Sequence, residues 1–377
     1  MVWLSISALV WAALAFAPSS GAADGGGHRG NTHRGTNNYI IECHNGQDKD
    51  VLIHHIKQRD GQVHHDFNSG IFYGVSASVP SLGGDEIKNM AGVKDVWPVQ
   101  VFSHGAKENS LKPRADPKWQ PYRRAVDTSW NHAMTQVGML HSEGFYGTNI
   151  TIAVVDSGTG RQVNYTHPAL GGCFGRGCRV VRGANFVRNE GKYDDPMDQH
   201  GHGTSVAGVL AGNDPQTNFV GVAPGATLAA YRVVNSKGYV REDDLIAGWL
   251  KAMEEGAQII ASSAGFAGSG WAQGPIAAVV SRIAASGMPC IVGNGNDSEE
   301  GLFYSLDPST GQHVIAVSSF AHRMVASANG SHAVTAGMSS FSASGPTWEL
   351  DLKPNVGVPG DDIPCPRIDG SYGSCVY

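Results

Sequence analysis

Residues Asp198–Gly208 read DQHGHGTSVAG, the most informative segment of this chain. His202 stands between two glycines, and the small residues of Thr204–Gly212 (TSVAGVLAG) predict a helix that packs closely against its neighbours while its first turn stays near the surface. A histidine in that turn can present a ring nitrogen to a cleft, as a general base must. The segment therefore predicts a catalytic histidine, although His200 and His202 are also a candidate metal pair.

A second segment, Ile150–Gly158 (ITIAVVDSG), precedes the first and complements it. Its apolar, β-branched residues predict a buried strand that delivers Asp156 at its carboxyl end, where a carboxylate can orient an imidazole. An aspartate at a strand end is, by itself, most often part of a turn. Aspartate first and histidine second, however, is the triad order of subtilisin. At these two segments the chain resembles the subtilases, the subtilisin-like serine proteases.

Length and composition agree with such an enzyme. The 377 residues are enough for two folded units, and the 50 glycines cluster at strand ends and turns rather than in one low-complexity tract. The net charge of −6 gives no reason to expect a nucleic-acid partner. We expect a protein or peptide substrate.

Residues 1–22 are predicted to be a secretory signal peptide. Val2–Ala17 is apolar but short for a membrane span, and small residues at Ala15–Ala17 and Ser20–Ala22 offer cleavage sites. No lysine or arginine precedes the apolar run, and a signal anchor is the alternative to a signal peptide. We expect a secreted, extracellular protein with no membrane contact once this segment is removed.

Residues 38–103 are predicted to form a small α+β domain with a βαββαβ-like order. The pattern gives strand Tyr39–Glu42, helix Asp50–Arg59, a strand after a turn in Phe67–Val79, helix Gly84–Met90 and strand Val93–Val99. A generic small α+β domain would give the same pattern. The segments FNSGIFYGVSASV and GVKDVWPV nevertheless resemble the inhibitory propeptide of subtilases, which implies a ferredoxin-like fold and makes the chain's own propeptide a partner. Residues 104–125 lack apolar periodicity and are interpreted as a linker.

Residues 126–377 are predicted to form an α/β peptidase domain with a doubly wound parallel sheet, because strands alternate with helices. The predicted helices are Trp130–Glu143, Glu242–Glu254 and Gly274–Ser286. The predicted strands are Asn149–Val155, Ala226–Val234, Ala257–Ala261, Pro289–Val292 and His313–Ser319. We expect the site at the carboxyl ends of these strands.

The six cysteines fit an oxidising compartment. Their short separations favour the local disulfides Cys173–Cys178 and Cys365–Cys375, although six cysteines allow other connectivities. Cys43 and Cys290 are expected to be free thiols, and zinc is not expected because no Cys-x-x-Cys repeat is present.

The resemblance to subtilases also implies an oxyanion donor. In that family a glycine-rich turn after a strand supplies an asparagine amide, and Gly295-Asn296-Asp297 within PCIVGNGNDS fits the pattern. We therefore assign this role to Asn296 rather than to Asn294. The alternatives for Asn296 are a turn residue and the acceptor of an Asn-Asp-Ser glycosylation sequon.

The same resemblance implies a substrate-binding strand. Ser263, Ala264 and Gly265 are similar to the subtilase segment that pairs with an extended peptide. Phe266 follows where the family has a second glycine, and its bulk is expected to narrow the primary specificity pocket.

No nucleophile is assigned. In subtilases a Gly-Thr-Ser-x-Ala-x-Pro motif carries the nucleophilic serine and is expected soon after Gly370–Tyr377, but the 377 residues contain no such motif. Ser371 and Ser374 do not begin a helix of small residues. We therefore expect a truncated gene product, with a peptidase domain incomplete at its C-terminus and no activity. The alternatives are an inactive subtilase-like binding or inhibitory protein and a His-rich secreted metal-binding protein.

Three weaker patterns remain. The histidine pairs His54–His55 and His64–His65 are interpreted as solvated residues, with a pH-sensing role in propeptide release as the alternative. No cofactor is expected, apart from a structural calcium with the candidate ligands Asp194, Asp195 and Asp198. Further sequons predict a glycoprotein, and they begin at Asn149, Asn164 and Asn329.

Overall fold

The fold is given by a computed structural model, which describes residues 37–103, 126–157, 165–266, 271–326 and 332–376. All of them belong to one compact unit, residues 32–377. The predicted signal peptide, the predicted linker and the sequons at Asn164 and Asn329 lie outside the described residues.

The first six elements form a contiguous part of this unit, here called the N-terminal module, and they follow the order βαββαβ that the sequence predicts. They are β1 (Asn38–Cys43), α1 (Gly46–Lys57), β2 (Gln62–Ser69), β3 (Phe72–Ser78), α2 (Gly84–Lys88) and β4 (Val93–Pro98). The four strands form an antiparallel sheet in the order β2-β3-β1-β4. The turn at Gly70 divides Phe67–Val79 between β2 and β3, so this segment contributes to two strands rather than one.

The two faces of the module's sheet have different partners, because successive residues of a strand point to opposite sides. Ile41 of β1 belongs to a buried cluster with Leu52 of α1 and Ile87 of α2. Its neighbour Ile40 belongs instead to the large core cluster that contains Trp249. The module therefore uses its second face to pack against the rest of the protein.

The remaining elements build the predicted α/β domain. Before it comes β5 (Val101–Ser103), and the domain itself begins with α3 (Ser129–Met134), α4 (Val137–Ser142), β6 (Thr151–Asp156), β7 (Val180–Asn185), α5 (His202–Ala211), β8 (Asn213–Asp214), β9 (Phe219–Val220), β10 (Thr227–Arg232) and β11 (Tyr239–Arg241). It continues with α6 (Glu242–Glu254), β12 (Ile259–Ser262), α7 (Pro275–Ala285), β13 (Cys290–Gly293), β14 (Ile315–Ala326), β15 (His332–Met338), β16 (Val356–Pro359), β17 (Ile363–Pro366) and β18 (Tyr372–Cys375). Short 3₁₀ turns occupy Pro168–Leu170 and Ser298–Glu300.

The central sheet has the order β15-β14-β13-β12-β6-β10-β7, with β16 beside β14. Its neighbouring strands are parallel except for β14 and β15. Val154 of β6 packs with Val206 of α5 on one face, and Val155 packs with Trp249 of α6 and Val280 of α7 on the other. Helices therefore cover both faces, and the predicted doubly wound α/β fold is confirmed.

The predicted helix Trp130–Glu143 is wrong as a single helix. The structure has α3 and α4 in its place, and Gln136 between them adopts a left-handed backbone conformation with φ of 60°. One residue in that conformation ends the hydrogen-bond ladder of a right-handed helix. The hydroxyl of Thr135 donates to the carbonyl of Asn131 at 2.8 Å at the same break.

The docked segment, defined here as Gln100–Ser103, was not predicted as a strand. Its β5 residues pair antiparallel with β11, so that Phe102 lies opposite Val240. The contact joins residues far apart in the sequence and brings the end of the N-terminal module to the start of α6.

The predicted pairing of the cysteines is confirmed. Cys173 pairs with Cys178 and Cys365 with Cys375, whereas Cys43 and Cys290 are buried free thiols. Burial raises the pKa of both free thiols to about 12, which keeps them protonated and unreactive. Among the described residues, no helix has the length and apolar character needed to cross a membrane.

Candidate active site

The structure brings Asp156 and His202 together, as the sequence predicts. Asp156 ends β6 and is fully buried, and its Oδ1 lies 2.8 Å from Nδ1 of His202 in the first turn of α5. The backbone N–H of Ser157 donates to the same carboxylate oxygen at 2.6 Å. The hydroxyl oxygen of Ser157 in turn accepts from the N–H of Gly203 at 2.8 Å, so the strand end and the helix start are joined twice.

The loop before α5 explains why His202 stands at a helix start. Gly201 has φ of 108°, a left-handed conformation that favours glycine, and a Cβ there would also press on Ile368. The buried carboxylate of Asp198 accepts from the N–H groups of His200 and Gly201 and from both the N–H and the hydroxyl of Thr204. Asp198 therefore caps the helix that carries His202.

The charge of Asp156 governs the protonation of His202. Burial alone would lower the pKa of His202, but the negative charge of Asp156 and their hydrogen bond raise it above its usual value. A hydrogen bond from Nδ1–H to the carboxylate leaves Nε2 as the ring nitrogen that can take up a proton. The arrangement suits a general base with a fixed tautomer.

The two candidate oxyanion donors have different surroundings. Asn294 is fully buried, and its amide donates to the carbonyl of Ala343 at 2.9 Å while its oxygen accepts from Ser309 at 3.3 Å. Asn296 is exposed, two residues further along, after Gly295 with φ of 118°. Because the side chain of Asn294 is buried and already hydrogen-bonded within the protein, Asn296 is the better candidate for binding a substrate oxygen.

The predicted substrate strand Ser263–Gly265 follows β12 directly. The hydroxyl of Ser262 donates to the carbonyl of Val155 at 2.8 Å and accepts from the N–H of Ala264 at 3.3 Å, which fixes this segment beside β6. A Cβ on Gly265 would lie 2.7 Å from the carbonyl oxygen of Asp307, so this position requires glycine.

The structure shows which contact the side chain of Phe266 makes. Its backbone exchanges two hydrogen bonds with Asp307, each of 3.0 Å, and its ring stacks on Phe102 with the centroids 4.5 Å apart. Its bulk therefore faces the docked segment. The alternation in Val99-Gln100-Val101-Phe102-Ser103 is the sequence signal that would have found this segment.

Among the described residues, the predicted metal pair His200–His202 does not belong to a group of three side chains that could share one metal ion. Within the described ranges, the three side chains placed to share one ion are His65, Asp243 and Asp244. Arg188 and Arg241 already pair with Asp243, and His65 bonds to Asp244 at 2.7 Å. These contacts form an ion-pair network that joins β2 to α6, and a metal ion would have to displace two guanidinium groups.

Comparison with known proteins agrees with the resemblance found in the sequence. Residues 147–376 match the model of the subtilase family. The chain is 29% identical over 280 residues to the minor extracellular protease Vpr of Bacillus subtilis, an alignment that covers 69% of the chain and 30% of that protein. It is 31% identical over 236 residues to subtilisin E of Bacillus subtilis, covering 62% and 53% of the two chains. It is 31% identical over 179 residues to subtilisin DY of Bacillus licheniformis, covering 47% and 59%. The matched part of the chain thus spans between 30% and 59% of the length of these relatives, which is less than two thirds.

Proposed function

The chain belongs to the subtilase family, and on that premise we propose that it is the precursor of a secreted subtilisin-like serine endopeptidase acting on peptide bonds. The observation that carries the proposal is the 2.8 Å contact between Nδ1 of His202 and Oδ1 of Asp156 at the carboxyl edge of a parallel sheet. In the proposed reaction His202 accepts the proton of the serine hydroxyl and later gives it to the leaving amine. Asp156 holds the imidazole and stabilises the imidazolium. The amide of Asn296 donates to the developing oxyanion.

The described residues supply this base and its orienting partner, but we assign no nucleophile among the 377 residues, because they contain no Gly-Thr-Ser-x-Ala-x-Pro motif. The polypeptide of this sequence is therefore expected to be inactive by itself.

The deciding experiment is to sequence the complete messenger and to express the polypeptide joined in frame to a Gly-Thr-Ser-x-Ala-x-Pro motif. Casein hydrolysis that a fluorophosphonate abolishes would support the proposal. A folded, extended protein without such activity would favour an inactive binding or inhibitory protein.

We further propose that the N-terminal module acts as an inhibitory propeptide. It packs through Ile40 and Phe72 on the core that contains Trp249 of α6. Glu42 of the module also pairs with Arg282 of α7, at 2.7 and 3.2 Å. An inhibitory role predicts that the extended enzyme gains activity when this pair is broken by Arg282→Ala.

Secretion is proposed from two observations. Two disulfides form within the described residues, which suits an oxidising compartment. One relative is named an extracellular protease. Detection of the protein in the culture medium, with an N-terminus beyond residue 22, would support this localisation and the predicted signal peptide.

A further inference from the structure

Two carboxyl groups are buried near the docked segment with few hydrogen-bond donors. Glu242, the first residue of α6, is 1% exposed, and Asp307 is fully buried. Among the residues that the structure describes, Oε1 of Glu242 has no hydrogen-bond partner. Within the same residues, neither carboxylate oxygen of Asp307 makes a hydrogen bond of good geometry, although the N–H of Ala277 lies nearby. The proposed reaction uses neither group.

The docked segment contacts Glu242 directly and is linked to Asp307 through Phe266. The backbone N–H of Gln100 donates to Oε2 of Glu242 at 3.3 Å, and the carbonyl of Gln100 accepts from the N–H of Glu242 at 3.0 Å. The ring of Phe102 lies on the ring of Phe266, which is 6% exposed and bonded through its backbone to Asp307. Lifting the segment would remove a donor from Glu242 and uncover Phe266, whose backbone is bonded to Asp307, and we expect water to reach both acids as a result.

Burial favours the protonated form of both groups in the docked state. Burial raises the pKa of Asp307 to about 7, and the N–H of Ala277 opposes this shift. Burial, followed by the charge of Asp307, raises the pKa of Glu242 well above its usual range. Asp243 adds to this increase, whereas the N–H of Gln100 opposes it. Ionising either group in place would leave a charge in an apolar site with too few donors.

We propose that Glu242 and Asp307 form a proton-dependent latch, which keeps Gln100–Ser103 docked on β11 while both carboxyls are neutral and releases the segment when they ionise. The latch concerns docking and not catalysis, so it goes beyond the proposed endopeptidase function. If that function is correct, release would uncover the surface beside Ser263–Gly265 for an extended substrate.

The sign of the effect follows from proton linkage. Opening lets the pKa of each acid fall toward its usual value near 4, so opening releases protons and becomes easier as the pH rises from about 4 to about 7. One full proton gives about a tenfold change in the opening equilibrium per pH unit. Titration of His64, on β2, has the opposite pH dependence, because burial and then the charge of Arg188 lower its pKa to about 4. Its hydrogen bond goes to Ser78 of the module and not to the docked segment.

Hydrogen exchange of the full 377-residue chain tests the latch. Mass spectrometry would follow peptides that cover residues 98–103 and 239–242, with protection factors corrected for the intrinsic pH dependence of amide exchange. Between pH 5.5 and 7.5 we expect the protection factor of the docked segment to fall at least tenfold. In the double variant Glu242→Gln and Asp307→Asn, which keeps shape but removes both charges, we expect no fall.

Two further variants provide a control and a single-site test. Glu254→Gln changes the same charge type at an exposed site on the same helix and should behave like the unaltered chain. Asp307→Asn alone should reduce the pH slope, and it provides a result if the double variant folds poorly. A flat profile in the unaltered chain would overturn the proposal, and so would an unchanged slope in the double variant.

Discussion

Asp198 holds Thr204 through two hydrogen bonds, one from the backbone N–H at 3.1 Å and one from the hydroxyl at 2.8 Å. Both residues are fully buried, and the same carboxylate also accepts from the N–H groups of His200 and Gly201. The helix that carries His202 is thus anchored by a buried charge that is separate from Asp156. The position of the proposed base therefore depends on two aspartates.

We expect Asp198→Ala to destabilise the protein by roughly 2–4 kcal/mol, because it removes a helix cap and leaves the buried hydroxyl and N–H of Thr204 without an acceptor. Urea denaturation measures the loss. In calcium-free buffer, Asp194→Ala, at an exposed position of the same loop, is the matched control and should change the free energy of unfolding by less than about 0.5 kcal/mol. Capping predicts the same loss with and without calcium. A loss that appears only with calcium would instead support the predicted calcium site.

The 377-residue polypeptide is expected to show no casein hydrolysis above background. Removal of the serine alone costs subtilisin about 10⁶ in turnover, and here no motif supplies that serine. The control is the same polypeptide with His202→Ala, which should give the same background rate. Cleavage that requires His202 and is blocked by a fluorophosphonate would show that an unassigned serine acts as nucleophile.

The sequence was most informative where a feature depends on a short local pattern. The contact between Asp156 and His202 could be predicted because a strand end and a helix start each have a compact signature, and both occur in the expected order. The bounds of α6 were also predicted correctly, since its apolar residues recur with a helical period.

Other features depend on contacts between distant residues and escaped prediction. The break at Gln136 reflects one left-handed residue in a pattern that otherwise suits a helix. Asp198 was expected only as a possible calcium ligand, because its role becomes clear when the loop folds back on Thr204. The pairing of β5 with β11 is set by tertiary contacts such as the Phe102–Phe266 stack.

His64 is expected to make the folded chain less stable in acid. Burial, and then the charge of Arg188, lowers its pKa from 6.5 to about 4, so the unfolded chain binds a proton that the folded chain does not bind in this range. Its contribution to stability is complete above about pH 6.5 and is lost as the pH falls toward 4. His64→Gln should therefore flatten the stability profile between pH 6.5 and 4, as measured by urea denaturation.

His54→Gln is the control for this measurement, because His54 is exposed on α1 and makes its side-chain contact with Gln58. It should leave the pH profile unchanged. An equal effect of both substitutions would mean that acid sensitivity comes from the general accumulation of positive charge and not from the site beside Arg188.

The oxyanion assignment predicts different defects for two neighbouring asparagines in the polypeptide extended through a Gly-Thr-Ser-x-Ala-x-Pro segment. Asn296→Ala should lower kcat by about 10²–10³ with little change in KM, because its hydrogen bond to the substrate strengthens in the transition state. Asn294→Ala should instead lower the free energy of unfolding by about 2 kcal/mol, because it leaves the buried carbonyl of Ala343 without its donor. Steady-state kinetics and urea denaturation of both variants separate the two defects. A larger loss of kcat in a stably folded Asn294→Ala variant than in Asn296→Ala would show that the oxyanion donor is Asn294.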